Sequence, residues 1–118
     1  MNTLVWIIQW ITAILFAIAG SIKITQPKDK LKKSLPWTSH FPLSTVKVIG
    51  TSELLGAIGL IIPQITGILP VLSPIAAIGL SLLMVFAASH HLPRNEYKEA
   101  IFNAVLFILT GMVALYRF

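Results

Sequence analysis

Four long apolar runs separated by short polar connections dominate the chain, at about residues 4–24, 43–62, 68–89 and 97–116. At a rise of ~1.5 Å per residue, each run is long enough to cross a hydrocarbon core of ~30 Å as one helix. The pattern therefore predicts an all-α fold, an integral membrane four-helix bundle. The length is that of one small domain, so residues 1–118 are expected to form a single unit.

Prolines set the expected limits of the two middle spans. Pro63 is expected to end the second span, with residues 63–67 forming a tight turn. Pro70 is expected in the first turn of the third span, where its missing N–H costs little. Pro74 lies deeper and predicts a mild kink, which membrane helices tolerate.

The connection between the first two spans, residues 27–42, is basic and rich in proline. Leu31 and Leu35 are spaced i, i+4 against lysines, and Trp37 and Phe41 follow. This pattern predicts a basic amphipathic segment on the membrane surface. A solvated loop with an aromatic anchor fits equally well. His40, in the same segment, is expected to be exposed.

Composition agrees with a lipid environment, because the chain is 56% hydrophobic and only 11% charged. A soluble domain carries about a quarter charged residues, so this chain cannot cover itself with polar groups and lipid must be its solvent. It has no cysteine, which excludes disulfides, CxxC dithiols, thiolate metal sites and membrane thiol oxidoreductases. We expect no metal site and no covalently bound cofactor.

The charge distribution predicts orientation rather than nucleic-acid binding. The net charge of +5 would suit nucleic-acid binding in a soluble protein. In this chain, however, the basic residues cluster in the loops between the spans. Of the nine Lys and Arg residues, all but Arg117 fall on the side of the two longer loops: Lys23, Lys28, Lys30, Lys32, Lys33, Lys47, Arg94 and Lys98. The positive-inside rule then places loops 25–42 and 90–96 in the cytoplasm, and both termini outside the cell membrane.

Glu53 is the one acidic residue within the second apolar run, and its neighbours on the helix face are small: Gly50, Gly56 and Ala57. An ionisable group inside a membrane costs a few kcal/mol or more, so it marks a candidate functional site. The small residues leave a packing notch for another helix, a side chain or a ligand. A hydrogen-bonded glutamate with small residues for close helix packing is the structural alternative.

Other polar groups share the same half of the predicted membrane region. Lys23 ends the first span, His90 and His91 end the third, and Asn103 lies six residues into the fourth. We therefore predict a polar-lined pocket that opens toward the cytoplasm, with Glu53 at its floor. Glu53 lies ~15 Å along its helix. A direct Lys23–Glu53 pair consequently requires Glu53 to sit shallower than this estimate.

Several segments resemble the DoxX-like membrane proteins in order along almost the whole chain. They are GSIKITQP at 20–27, IGTSELLGAIGLIIP at 49–63, the stretch from Ala87 through His91-Leu92-Pro93-Arg94, and LYRF at 115–118. The resemblance implies a four-helix membrane protein and singles out Lys23, Glu53 and His91. Relatives include a quinone-linked sulfur oxidoreductase subunit, components of oxidative-stress complexes, a receptor-assembly chaperone and a cargo receptor. Because these relatives have different functions, the resemblance to the family implies the fold but does not single out one function.

Two functions remain open. The first is a quinone-associated subunit of a membrane oxidoreductase, in which Glu53 and His91 relay protons and Lys23 or Asn103 holds a quinone carbonyl. The chain has no flavin or dinucleotide fingerprint, so a partner subunit would supply electrons. The second is a non-catalytic membrane chaperone or assembly factor that binds transmembrane helices of client proteins. The helix faces around Gly56 and Ala77 suit either a monomer or a homo-oligomer.

A small transporter is a third, weaker hypothesis. Compact four-helix exporters carry a membrane glutamate in their first helix, where this chain has Gln9 and Thr12. A haem site is also disfavoured, because adjacent His90 and His91 on one helix cannot supply both axial ligands of one haem.

Overall fold

The computed structural model describes residues 2–35, 38 and 40–117. Trp37, the expected aromatic anchor, lies outside the described residues, as do Pro36 and Phe118. The described chain forms five α-helices, with a 3-10 turn at Leu92–Arg94 between the last two: α1 (Asn2–Thr25), α2 (Lys28–Ser34), α3 (Leu43–Thr66), α4 (Leu72–His91) and α5 (Tyr97–Arg117). Helices α1, α3, α4 and α5 are long and apolar enough to span a membrane. The predicted all-α four-helix membrane bundle is thus confirmed.

The four spans pack in a ring, in which α1 and α4 each contact both α3 and α5. The bundle measures 40 × 26 × 18 Å, and its long axis is close to the ~40–45 Å thickness of a whole bilayer. Phe16, Leu60 and Val113 fill its centre. The outward side chains, Ile14 and Ile108 among them, are apolar and exposed, as lipid contact requires.

The second span continues beyond Pro63, so the expectation that this proline ends it is wrong. Pro63 is buried inside α3, and residues 63–66 are helical rather than a turn. A membrane helix tolerates the single missing N–H because nearby groups re-satisfy the freed carbonyl. The helix ends instead at Gly67, whose left-handed φ of 71° lets its N–H donate to the Pro63 carbonyl.

The third span begins later than expected, because residues 68–71 form a turn in which Leu69 has a φ of 47°. Pro70 therefore precedes α4, and Pro74 falls in its first turn. A proline there lacks only an N–H that has no helical partner anyway, so the reason to expect a kink disappears. At the other end, His90 and His91 belong to the last turn of α4.

Between α1 and α3, α2 is a seven-residue helix with two unlike faces. Leu31 is fully buried, whereas Lys28, Lys30, Lys32 and Lys33 are exposed. The predicted basic amphipathic character is therefore confirmed for residues 28–34, and the position of the whole segment 27–42 on the membrane surface stays a prediction. Its apolar anchor is a leucine held within the protein.

The two ends of the bundle differ. Nη1 of Arg117 donates to Oδ1 of Asn2 at 2.8 Å, so the first and last described residues meet at one end, here called the terminal end. Helix α2 and the α4–α5 connection lie at the opposite end, here called the α2 end. Lys47 of α3 donates to the Ile24 carbonyl at 2.5 Å and ties α1 to α3 there.

Candidate functional site

A cavity of about 340 Å³ lies between the four spans in the half of the bundle nearer the α2 end. Its wall is mostly apolar and includes Met84 of α4 and Leu106 of α5. Leu35 and Phe41, from the connection between α2 and α3, also line it. The polar side chains in its wall come from all four spans: Lys23, Glu53, His90, His91, Glu99 and Asn103. The structure thus brings the five sequence-predicted site residues to one cavity and adds Glu99.

Lys23 and Glu53 form a buried ion pair in this wall, with Nζ of Lys23 donating to Oε1 of Glu53 at 2.5 Å. Their side chains are 10% and 3% exposed. The pair forms although α3 begins at Leu43 as expected and Glu53 still lies ten residues into it, so the condition that Glu53 must sit shallower was wrong. Lys23 lies beside Gly50, which is three residues before Glu53, so the two levels differ by only ~5 Å of helical rise. A lysine side chain spans that offset.

The predicted notch around Glu53 is occupied by neighbouring helices. Gly50 faces α1 so closely that an added Cβ would lie 2.8 Å from the Gly20 carbonyl oxygen. Gly56 is covered by the side chain of Leu80 from α4, and Ala57 is 4% exposed in the core. The small residues therefore serve helix packing, while the carboxyl of Glu53 lies in the cavity wall.

The two histidines at the end of α4 have different partners. Nδ1 of His91 lies 3.1 Å from Oε1 of Glu96. Because a carboxylate only accepts hydrogen bonds, this nitrogen carries the proton. The hydrogen bond from His91 lowers the pKa of the Glu96 carboxyl. The His90 ring instead contacts the rings of Phe41 at 4.9 Å and His40 at 5.6 Å. His40 is exposed, as expected, but it is also part of this ring cluster.

Two polar atoms near the cavity have no hydrogen-bond partner in the described part of the chain. They are Nδ2 of Asn103 and Nε2 of His90, and both atoms are buried. Asn103 as a whole is 8% exposed. An unpaired buried donor costs about 1–3 kcal/mol, so Asn103 is the residue of the cavity wall whose buried donor still lacks an acceptor among the described residues.

A second polar cluster, at the terminal end, was not predicted. Nε2 of Gln9 donates to the Leu60 carbonyl at 2.7 Å, and Nε of Arg117 donates to Oε1 of Gln9 at 2.6 Å. The guanidinium also lies 5.0 Å from the centre of the Trp6 ring. The sequence signal was a glutamine in an apolar run together with the single basic residue of that end. Both polar atoms of the Gln9 amide are thereby paired, whereas Nη2 of Arg117 is buried without a partner among the described residues. None of these groups lines the cavity, which is therefore the candidate site.

Leu35, Phe41 and Glu99 also went unpredicted as cavity residues. Leu35 and Phe41 belong to the segment that the sequence predicts on the membrane surface, so the sequence carries no signal that they line a cavity. Glu99 is four residues before Asn103, one helical turn away, and that spacing was the available signal.

Comparison with known proteins identifies the family of this chain. Among curated proteins and solved structures, none matches the chain significantly. The sequence pattern of the DoxX-like family matches residues 7–113, which include most of α1 and α5, all of α3 and α4, and every residue of the cavity wall. The chain therefore belongs to the DoxX-like family of membrane proteins.

Proposed function

We propose that this chain binds a quinone in the cavity and acts as the quinone-associated subunit of a membrane oxidoreductase. The observation that carries the proposal is the buried amide of Asn103, whose Nδ2 has no partner among the described residues and which lies in the cavity wall. Such a donor in apolar surroundings is costly unless a ligand accepts its hydrogen bond. A quinone offers a carbonyl acceptor on a flat apolar ring.

The size and lining of the cavity support this ligand class. Its volume of about 340 Å³ falls at the lower end of the ~300–1,000 Å³ range of small-molecule sites. Leu106, Met84 and Phe102 supply apolar contact surface. A few polar groups in an otherwise apolar wall are typical of pockets that orient one small molecule.

The charged groups of the wall suggest how protons reach the ligand. Reduction of a quinone to a quinol takes up two electrons and two protons. In this proposal a partner subunit delivers the electrons, and protons arrive through His91 and Glu53. Lys23 keeps the Glu53 carboxyl paired in the low-dielectric interior until a proton arrives.

Titration of the purified protein in lipid nanodiscs with short-chain ubiquinone and menaquinone analogues tests the proposal. We expect saturable binding by the wild type. Loss of one neutral hydrogen bond in Asn103→Leu should weaken it by about 3- to 10-fold. The same change should leave the melting temperature equal or higher, because it removes an unpaired amide.

Ser73→Ala is the matched control. Oγ of Ser73 is also buried without a partner in the described chain, but Ser73 does not line the cavity. This variant should bind quinone like the wild type. Absence of saturable binding by the wild type, or equal weakening in both variants, contradicts the proposal.

We propose further that the α2 end faces the cytoplasm. Eight of the nine Lys and Arg residues belong to the side of the two longer loops, and only Arg117 belongs to the other side. Such an excess of basic residues marks the cytoplasmic side of a membrane protein. Labelling of Asn2→Cys in intact cells tests it. Reaction with a membrane-impermeant maleimide supports this orientation, and protection from the reagent reverses it.

A second candidate, a helix-binding assembly factor, is favoured by one surface. An open groove on the outside of α3 and α4 is lined by Leu and Phe side chains and by four small residues, which are Ser52, Gly56, Ala76 and Gly79. A Cβ at Gly79 would meet nothing within 4 Å, so a client helix can approach closely. Gly79→Leu fills the groove. If the chain is an assembly factor, this variant should no longer co-purify with a crosslinked client. If the chain is a quinone-binding subunit, the variant should bind quinone like the wild type.

A further inference from the structure

We propose that the cavity opens sideways into the hydrocarbon, between α1 and α5, so that its ligand is a molecule dissolved in the bilayer. The identity of that ligand as a quinone rests on the function proposed above. The opening itself rests on the structure of the bundle.

The first support is the kind of side chain found at the rim. Four residues line the cavity and are also exposed on the protein surface: Ile18 and Ile22 of α1, Phe102 of α5, and Phe86 of α4, which faces the groove between α3 and α4 as well. All four are apolar, whereas the charged and amide groups of the wall are buried or half-buried. Ile18 is 55% exposed and Phe102 50%. An apolar rim at the level of the spans faces lipid chains rather than water.

The second support is the way in which α1 and α5 meet. Arg117 of α5 bonds to Gln9 and Asn2 of α1 at the terminal end. In the other half, residues from Leu15 to Lys23 on α1 and from Glu99 to Leu106 on α5 line the cavity between them. The two helices are therefore joined at one end and separated by the cavity toward the other.

The third support is the cover over the α2 end. Leu35 and Phe41 line the cavity there, and the Phe41 ring lies 4.9 Å from the His90 ring. Both side chains are half-buried and apolar. A polar solute from the aqueous phase would have to displace this contact, but a lipophilic molecule can pass between α1 and α5 from the bilayer.

The chain has no cysteine, which permits a direct test in full-length protein reconstituted into vesicles. A single NBD fluorophore on Met84→Cys reports from the wall, since Met84 lines the cavity and is 5% exposed. The quenchers are a nitroxide ester dissolved in the bilayer and iodide confined to water. We expect strong quenching by the nitroxide and little by iodide.

Ile18→Trp narrows the rim, and Ile14→Trp is its matched control. Ile14 is one turn away on α1, is 52% exposed and does not line the cavity. The rim variant should remove most of the nitroxide quenching, and the control should leave it unchanged. The rim variant should also slow association of a short-chain ubiquinone by about tenfold.

The two readouts separate the opening from the function. Nitroxide quenching that Ile18→Trp alone suppresses supports the lateral opening, even if no quinone binds. Iodide quenching as strong as nitroxide quenching overturns it, even if quinone binds saturably. Equal effects of the Ile18 and Ile14 variants on quenching overturn it as well.

Discussion

Gly20 of α1 and Gly50 of α3 face one another so closely that a Cβ added to Gly20 would lie 2.5 Å from the Gly50 carbonyl oxygen. The added atom would also lie 2.9 Å from the Leu54 backbone nitrogen. Because both obstacles are backbone atoms, the helices themselves must separate. We expect Gly20→Ala to lower the free energy of unfolding by about 1–3 kcal/mol, as overpacking does. Thermal unfolding in detergent measures it.

Gly111→Ala is the control for that substitution. A Cβ at Gly111 would meet nothing within 4 Å, and alanine favours a helix over glycine by up to ~1 kcal/mol. Its melting temperature should stay equal or rise. A loss of similar size in both variants would show that the close crossing is not the cause.

The Lys23–Glu53 ion pair predicts strong coupling between its two members. Lys23→Met leaves a buried carboxylate without its partner, and Glu53→Gln leaves a buried ammonium. Each single change should cost roughly 3–5 kcal/mol of stability. The double variant should cost clearly less than the sum of the two, because no unpaired charge remains. Chemical or thermal unfolding of the four proteins measures this cycle.

Lys47→Met serves as the comparison for that cycle. Its Nζ also donates a short hydrogen bond, but to the Ile24 carbonyl rather than to a carboxylate. The effects of Lys47→Met and Glu53→Gln should add. Simple additivity of the Lys23 and Glu53 changes would instead contradict a coupled pair.

The His91–Glu96 contact predicts a stability difference that depends on pH. The hydrogen bond from His91 holds the pKa of Glu96 below its ordinary value of 4.5. The folded protein therefore binds this proton more weakly than the unfolded chain. The resulting stabilisation is fully present above that ordinary value and is lost as the pH falls through the folded value. Melting temperatures of the wild type and Glu96→Gln should differ most at neutral pH and converge in acid.

A His91→Phe background supplies the control, because it removes the donor. There the Glu96→Gln change should lose most of its effect at neutral pH. A difference between the wild type and Glu96→Gln that persists unchanged into acid would count against the proposed hydrogen bond.

The sequence predicts the four spans well because each apolar run is long enough to cross a bilayer, and the chain has too few polar residues to shield these runs from water. It predicts their limits less well. Pro63 and Pro74 carry the same backbone restriction, yet one lies inside α3 and the other in the first turn of α4. Which of these positions a proline takes depends on the neighbouring turn, and Leu69 and Gly67 set that turn through their left-handed conformations.

The position of a residue along its helix predicts which polar residues line the cavity wall. It does not predict which of these residues contact one another. Counting residues from each helix end places Glu53, His91 and Asn103 in one half of the bundle. The offset between two helices depends on where they touch, and the Gly20–Gly50 crossing sets it. That crossing brings Lys23 within reach of Glu53 and is invisible to a count along either helix.

The chain of contacts from Asn2 through Arg117 and Gln9 to the Leu60 carbonyl has a consequence for motion. It holds three helices at the terminal end, while the opposite half encloses empty volume. Fluctuations that break backbone hydrogen bonds should consequently start where packing is sparse. Amide deuterium uptake would then fall along α5 toward Arg117, whereas the contacts of Gly20 and Lys23 with α3 should keep uptake low in the second half of α1. The end of α5 near Tyr97 would therefore move relative to α1 while the terminal end stays fixed.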